Sequence, residues 1–542
     1  MPPGTDDATA ATLDGLGADM LAELFKHVPI KLALRLVCRA MRDAHPQETR
    51  TNLMALIGSV KMVAWYASVS RHPFARERSW IPIGRFGFVA AEFAQMEVLQ
   101  WLRDHAGYKF SRKTCAGAAR GGRFETLKWL REQDCPWDSM TLELAARGGH
   151  FPIVEYAMSG KCACDHKRAC AAAAEGGHLQ ILQKMRWYGF GWDKRTCEAA
   201  AQGGHLEVLR WARNAGCDWD QATPAYAASR GHIHVVEWLD QTSLGLQDAW
   251  GHSVVLEWAA RGGQLATVQW LSERGYRCDD ARACCGAACR GRLDVLKWLV
   301  ANGHEWDKAV TRVAAEGGHE ELLRWAIANG CEYDAQTCAK AAERGDLDTL
   351  KWLRLEVGCP WDVHTMELTA EEGHLDVLAW ALANGAEAPA SVCAAAARLG
   401  QLDALQWLRA HGVPWDASTC TAAVQWDDMS VLHWARNEGC PWDEQACATA
   451  AEHGRLGILQ WLRSQGCPWC METVTQACRN GRPEILTWAV HNGCPWIPWD
   501  ARHAVGPFKT EATIAAVERL RLETAMCRPK HFSSHMYIDY HF

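Results

Sequence analysis

The chain has 542 residues and a formal net charge of −7, since 64 Asp and Glu residues outnumber 57 Lys and Arg residues. This length exceeds that of one ordinary globular domain. The mildly acidic balance argues against a broad nucleic-acid surface, which is normally basic, so we expect no nucleic acid among the partners. No apolar run reaches the roughly 18 residues of a membrane-spanning helix, so we expect no membrane partner either.

Residues 1–15 are acidic and lack the apolar core of a signal peptide. We expect this segment to be disordered. The missing secretion signal predicts an intracellular, cytoplasmic protein.

Residues 16–45 follow the pattern of short amphipathic helices, in which Leu21, Leu24 and Phe25 share one helical face. The segment resembles an F-box in its opening and in its Leu-x-Leu-Arg-x-Val-Cys-Arg ending. It departs from the F-box pattern at Gly17, where Pro is usual, and at Met41, where Trp is common. The residues that we expect to contact a partner are Leu16, Leu21, Leu24, Phe25, Leu32, Leu34, Val37 and Cys38.

An F-box implies a partner, because it docks on the Skp-type adaptor of a cullin-RING ubiquitin ligase. The alternative is a plain amphipathic cap that covers the end of the array that follows.

We expect residues 46–92 to form a transitional or capping repeat, followed by a tandem array over residues 93–500. Its signature is Gly-His-Leu-Glu-Val-Leu-x-Trp-Leu, and the Trp position, first met at Trp65, recurs mostly every 27 or 28 residues up to Trp488. Such register indicates about 16 stacked helix pairs, in which each repeat touches only its neighbours.

The unit Asp193–Trp219 shows how one repeat is built. Its first helix, predicted near residues 196–202, presents small residues such as Cys197 and Ala200 on one face. A Gly-Gly pair ends that helix. The second helix, predicted near residues 206–214, is apolar on more than one side, so it needs cover from neighbouring repeats.

The pattern Thr-x-x-x-Ala-Ala-x-x-Gly-His-Leu-x-Val-Leu-x-Trp-Leu resembles the ankyrin repeat. The unit is shorter than the usual ankyrin repeat of about 33 residues. A Gly-Cys-Pro-Trp-Asp loop, as at residues 358–362, stands where ankyrin repeats form a β-hairpin. This variant resembles the expanded ankyrin families of giant DNA viruses, pandoraviruses among them, for which the compartment would be the host cytoplasm. The resemblance implies an all-α protein, a monomeric α-solenoid with little or no β-structure.

Two later stretches depart from the period. The Trp238 to Trp270 spacing is 32, which places an insertion around residues 241–251, either a tolerated surface loop or part of a binding face. Residues 501–542 are predicted to be a C-terminal capping helix, near residues 510–525, and a tail.

Most of the 24 cysteines occupy two recurring positions, one in the first helix and one in the loop. Equivalent cysteines of adjacent repeats are expected about 8–10 Å apart, too far for a disulfide. We therefore interpret them as small buried residues.

Other residue patterns point to chemistry only weakly. Four possible zinc ligands lie close together in the sequence: Cys162, Cys164, His166 and Cys170. Two of them, Cys162 and Cys170, already fall at the recurring cysteine positions of the repeat. The Cys467–Cys470 pair lacks the sheet that a redox site needs, and the histidines after Gly are interpreted as packing residues. The recurring tryptophans favour packing between repeats over ligand stacking. No catalytic motif is present, so we expect no catalytic residues, no metal, no cofactor and no enzyme activity.

The residues that vary between repeats lie at the start of the first helix, and in ankyrin-like stacks this surface binds partners. Examples are Lys194, Arg195, Glu198, Lys308, Arg312, Val363, His364, Glu367, Glu444 and Gln445. Together with the F-box resemblance, they predict a substrate-recruiting subunit of a ubiquitin ligase whose repeats bind an unidentified target protein. The alternative is a binding scaffold or decoy with no ligase link.

Overall fold

The computed structural model of the protein describes residues 83–105, 108–160, 162–220, 222–242, 249–278, 280–426, 429–496 and 511–526. Every regular element in these ranges is helical and none is a strand, which confirms the predicted all-α fold. The chain divides into two units, residues Met1–Asp279 and Asp280–Phe542, which are treated separately below.

The first unit contains seven described helix pairs. They are α1 (Ile83–Glu92) with α2 (Met96–Asp104), α3 (Arg112–Arg120) with α4 (Phe124–Glu132), α5 (Ser139–Arg147) with α6 (Phe151–Ser159), α7 (His166–Glu175) with α8 (Leu179–Trp187), α9 (Lys194–Gly203) with α10 (Leu206–Asn214), α11 (Thr223–Ser229) with α12 (Ile233–Gln241), and α13 (Ala249–Gly262) with α14 (Leu265–Glu273).

The second unit contains eight described pairs and one further helix. They are α15 (Arg282–Ala288) with α16 (Leu293–Ala301), α17 (Lys308–Gly317) with α18 (Glu320–Ala328), α19 (Ala335–Glu343) with α20 (Leu347–Trp352), α21 (Val363–Glu372) with α22 (Leu375–Ala383), α23 (Ala390–Arg398) with α24 (Leu402–Ala410), α25 (Ala417–Trp426) with α26 (Met429–Asn437), α27 (Glu444–Glu452) with α28 (Leu456–Ser464), α29 (Met471–Arg479) with α30 (Pro483–His491), and finally α31 (Glu511–Met526).

The pair α9 and α10 shows why these residues fold as they do. The first helix begins two residues before the predicted Thr196, because the carboxylate of Asp193 accepts a hydrogen bond from the Arg195 backbone N–H and caps the helix. Gly204, at φ 76°, ends it in the left-handed region that glycine tolerates best. The second helix has the predicted bounds, and burial of Leu209 contributes about 2 kcal/mol relative to exposure.

Within each unit, a first helix packs on its own second helix and on the first helices of the adjacent repeats. The facing residues are small, such as Ala200 and Ala201, which lets the helices approach closely. Each repeat therefore covers apolar surface that its neighbour cannot cover alone, as in a solenoid.

Two departures from the 27-residue period take forms that the sequence did not predict. Instead of lengthening only a loop, the insertion before Trp270 extends α13 to 14 residues, whereas the other first helices have 7 to 10. In the repeat of Trp352, the extra residue is absorbed by a π-helical turn, Leu353–Val357.

At the C-terminal end, α31 packs on α30 and buries Val517 and Leu520, while the His491 imidazole lies 2.9 Å from the Glu523 carboxylate. The F-box-like segment, including Leu16 to Cys38, lies outside the described residues. So do the proposed disordered N-terminus and most of the transitional segment, and these assignments stay predictions.

Candidate partner-binding surface

The histidine of the Gly-His-Leu signature joins adjacent repeats. The His178 Nε2 atom hydrogen-bonds to the Arg147 carbonyl at the end of the preceding first helix, at 3.0 Å. His374 makes the same 3.0 Å contact with the Glu343 carbonyl. These rings are held between repeats, so they are packing residues, as the sequence predicts.

A glycine lies against each of these histidine rings, and two features require glycine there: its positive φ and the close approach of the ring. Gly204 has φ 76°, and a Cβ atom built on it would lie 2.5 Å from the His232 ring. Burial lowers the pKa of His232, and of His205 one repeat earlier, although a backbone carbonyl contact opposes the effect. Burial therefore favours the neutral form of these two rings.

The recurring tryptophans also join adjacent repeats. In seven places within the two units, a loop Trp contacts the second-helix Trp of the following repeat with ring centroids 5.6 to 6.0 Å apart. Trp415 with Trp434, at 5.8 Å, is one example. These contacts confirm the interpretation of the tryptophans as packing residues.

An arginine that sequence reasoning missed lies against the loop Trp in six of these seven contacts, all but that of Trp306. Among the described residues, seven repeats have an Arg two residues after the second-helix Trp position that lies 3.8 to 4.7 Å from the loop Trp ring. The same guanidinium donates to a loop carbonyl, as Arg436 does to that of Cys440 at 2.5 Å. The recurring spacing of Arg and Trp in the sequence was a signal for it.

We call the exposed starts of the first helices the first-helix surface, defined by the ten varying residues named in the sequence analysis, from Lys194 to Gln445. Lys194, Lys308, His364 and Glu444 are exposed there. Several members make ion pairs that link adjacent repeats: Lys194 Nζ lies 2.6 Å from the Asp220 carboxylate. Such exposed pairs contribute only about 0 to 1 kcal/mol each, so this surface can exchange them for contacts with a partner.

The charge at these helix starts changes along the chain. In the first unit, basic side chains occupy the first two positions of several first helices, namely Arg112, Lys113, Lys167, Lys194 and Arg195. In the second unit, the first helices from α19 to α29 have no Lys or Arg at their first two positions. Glu444 and Glu472 stand there in α27 and α29. The chain therefore presents different charges in different repeats.

Two further features, on or next to second helices, are open to solvent. An open groove of about 410 Å³ is lined by Gln406, Arg409, Ala410, Trp415, Trp434 and Glu438. In the first unit, Trp187 is 76% exposed and Tyr188 is 48% exposed. The Lys184 ammonium lies 5.5 Å from the first ring and 5.6 Å from the second.

The structure does not assemble the zinc site considered from the sequence. The His166 ring stacks on Phe190 with centroids 4.1 Å apart, and the Cys162 thiol donates to the Asp138 carbonyl at 3.3 Å. Among the described residues, no group of three or more His, Cys, Asp or Glu side chains is arranged to hold a metal ion. In the Cys467–Cys470 motif, the Cys467 thiol hydrogen-bonds to the thiol of Cys447.

No protein-family model and no curated protein matches the chain. Among solved structures, the pentatricopeptide repeat protein PPR10 in complex with an 18-nucleotide psaJ RNA element aligns over 94% of this chain and 98% of its own, with 11% identity and a TM-score of 0.28. PPR10 from maize aligns over 96% of this chain and 94% of its own, with 12% identity and a TM-score of 0.26. The human ASB11 ankyrin repeat domain aligns over 30% of this chain and 83% of its own, with 17% identity and a TM-score of 0.23.

These neighbours are helical repeat proteins. They correct one expectation: a nucleic-acid partner was excluded on net charge, and the neighbours include a repeat protein solved in complex with RNA. No helix within the described ranges is both long and apolar enough to cross a membrane.

Proposed function

We propose that this chain is a repeat scaffold that binds another macromolecule through its first-helix surface, and that this partner is a protein. One observation carries the proposal. The residues that hold the repeats together recur from repeat to repeat, whereas the exposed residues at the first-helix starts change in type and charge. A surface whose side chains are mostly exposed and vary between repeats is suited to recognising an extended, irregular partner.

The finer proposal is that the scaffold recruits its protein target to a cullin-RING ubiquitin ligase. Its support is the F-box resemblance of residues 16–45, in which Leu21, Leu24, Phe25, Leu34 and Val37 would contact the Skp-type adaptor. The alternative, a scaffold or decoy in the cytoplasm with no ligase link, needs only the repeat array.

The adaptor proposal is tested with the purified full-length chain and the Skp-type adaptor. Leu24→Asp should abolish co-purification, because it places a charge on the apolar face that an F-box buries. Leu13→Asp makes the same change outside the F-box-like segment and should leave binding intact. If the unchanged chain does not bind the adaptor, the ligase proposal is wrong and the scaffold alternative stands.

The first-helix surface is tested with a partner protein captured from lysate by the full-length chain. The double variant Lys194→Glu with Arg195→Glu should weaken that complex at least tenfold if the partner contacts this repeat. Arg210→Glu reverses a charge on the second helix of the same repeat and serves as the control. A scan of equivalent charge changes, repeat by repeat, would overturn the proposal if every first-helix variant retained the partner.

A second candidate function is binding of single-stranded RNA, and the pair Trp187 and Tyr188 favours it. Exposed aromatic rings beside a cation are the elements on which unpaired bases stack, and each stacked base contributes about 1–3 kcal/mol. Fluorescence anisotropy with a labelled single-stranded RNA tests this function. Binding that weakens with added salt and is lost in Trp187→Ala would support it, and no binding at low salt would exclude it.

A further inference from the structure

Within the described part of the chain, five repeats bring two cysteine side chains together, one from the first helix and one from the loop after the second helix. The pairs are Cys115 with Cys135, Cys197 with Cys217, Cys338 with Cys359, Cys420 with Cys440, and Cys447 with Cys467. In the first pair, the two sulfur atoms are 3.2 Å apart. Cysteines at equal positions of adjacent repeats were expected to lie too far apart for a disulfide, whereas these pairs join different positions within one repeat.

The loop cysteine has the same placement in all five repeats. Its sulfur lies 3.3 to 3.4 Å from the backbone carbonyl of the residue that precedes the first helix of its own repeat. Cys135, for example, approaches the Ser111 carbonyl at 3.4 Å. Because this contact recurs, the loop thiol is directed at the same turn of the first helix each time.

Both thiols of each pair are buried, at 0 or 1% exposure. The loop that carries one of them is at the surface, however, and Pro136 next to Cys135 is exposed. Opening of a short surface loop therefore suffices to admit a small oxidant, and the first helix can stay in the stack.

We propose that these five dithiols are reversible oxidation sites, at which a peroxide converts each pair into a disulfide within its own repeat. A disulfide bond is about 2.05 Å long, so in the first pair the sulfur atoms need to approach by only about 1.2 Å. The bond would tie each loop, with its Trp, to the first helix of the same repeat. Reduction by a thiol would reverse it.

The reaction balances in two steps with hydrogen peroxide. The loop thiolate attacks one peroxide oxygen, the O–O bond breaks, and the departing hydroxide takes up the thiol proton as water, which leaves a sulfenic acid. The first-helix thiol then attacks that sulfur and forms the S–S bond. The sulfenic oxygen leaves as a second water, so two thiols lose two electrons and one peroxide gains them.

The loop cysteine is the suitable attacking group in four of the pairs. A hydrogen bond donated by the first-helix thiol lowers the pKa of Cys135, Cys217, Cys359 and Cys440. The same interaction, with burial, raises the pKa of the first-helix partners Cys115, Cys197, Cys338 and Cys420. A lowered thiol pKa increases the thiolate fraction that reacts with peroxide.

Other repeats supply natural controls. Cys393 occupies the first-helix position, but its loop counterpart is Val413. Cys331 occupies the loop position, but its first-helix counterpart is Thr311. Both cysteines are buried and neither has the second thiol that a disulfide requires.

The test uses the full-length chain, reduced, freed of reductant and treated with hydrogen peroxide. Remaining thiols are alkylated, and the digested chain is mapped by mass spectrometry. The five intra-repeat disulfides should form, with a loss of ten titratable thiols from these positions, while Cys393 and Cys331 are recovered alkylated. Treatment with dithiothreitol should restore all ten.

The matched variant is Cys135→Val, which copies the native arrangement of Cys393 and Val413 and should fold for that reason. It should leave Cys115 alkylated after peroxide treatment, while the other four disulfides still form. The proposal is overturned if the paired thiols survive peroxide as long as Cys393 does. Disulfides linking different repeats, or higher sulfur oxides without disulfides, would overturn it equally.

Discussion

The guanidinium of Arg436 lies 3.8 Å from the ring centroid of Trp442 and also donates to the Cys440 carbonyl at 2.5 Å. One side chain thereby holds both ends of the loop that leads to the next repeat. Equivalent contacts recur in seven of the described repeats, so this arginine contributes to the stack in each of those seven.

Replacing this arginine should weaken the second unit. Arg436→Ala removes a cation–π contact worth about 0.5–2 kcal/mol together with a charge-assisted hydrogen bond worth about 1.5–3 kcal/mol. We expect a loss of about 2 kcal/mol, measured as a lower urea midpoint by circular dichroism. Arg519→Ala, at an exposed position of α31, is the control and should change stability by less than about 0.5 kcal/mol. Equal effects of the two variants would contradict the assigned role.

Two glycines of one repeat should respond unequally to the same substitution. Gly204 and Gly216 both have positive φ, at 76° and 81°, so alanine costs about 1 kcal/mol at either position. At Gly204 the new Cβ would also meet the His232 ring at 2.5 Å, whereas at Gly216 nothing lies within 4 Å. Gly204→Ala should therefore lower the thermal midpoint clearly more than Gly216→Ala. Matching shifts would show that the histidine contact carries no energy.

The stability of the first unit should fall in mild acid. Burial lowers the pKa of His205 and His232 below the usual 6.5, so as the pH falls the unfolded chain takes up protons first. Stability present above about pH 6.5 is then lost as the pH falls through that value toward the lower folded pKa.

The variants for this test copy a natural difference between repeats, since Gln264 lies against Gly231 as His232 lies against Gly204. His232→Gln should reduce the drop in urea midpoint between about pH 7.5 and 5.5. Gln264→His should enlarge it, because it adds a histidine in the same setting. An unchanged pH profile in both variants would refute the explanation.

Two tryptophans should differ sharply in their effect on stability. Trp415 contacts Trp434 at 5.8 Å and lies 4.2 Å from the Arg409 guanidinium, so Trp415→Ala should cost about 3 kcal/mol. Trp187 is 76% exposed, so Trp187→Ala should stay within about 0.5 kcal/mol. Chemical unfolding of both variants tests this. A large loss at Trp187 would mean that its ring has a packing role, which would weaken its candidacy as an RNA contact.

The sequence by itself determined the period, the helix pairing and the separation of buried from exposed positions. In the repeat of Asp193–Trp219, the second helix was predicted to the residue, because its apolar positions and the Gly-Gly pair before it are local signals. The packing roles of the signature histidines and loop tryptophans followed from their recurrence, since a residue that recurs at one position of many repeats serves the structure of the repeat.

Only the tertiary structure decided which residues at different positions of the repeat come into contact. Cys115 with Cys135, Arg436 with Trp442 and His232 with Gly204 join residues of different register, and their distances depend on how each loop folds back over the helices. The same holds for extra residues: one insertion lengthened α13 and another became a π-helical turn, because the stack fixes the positions of the helices and leaves the connections to adjust.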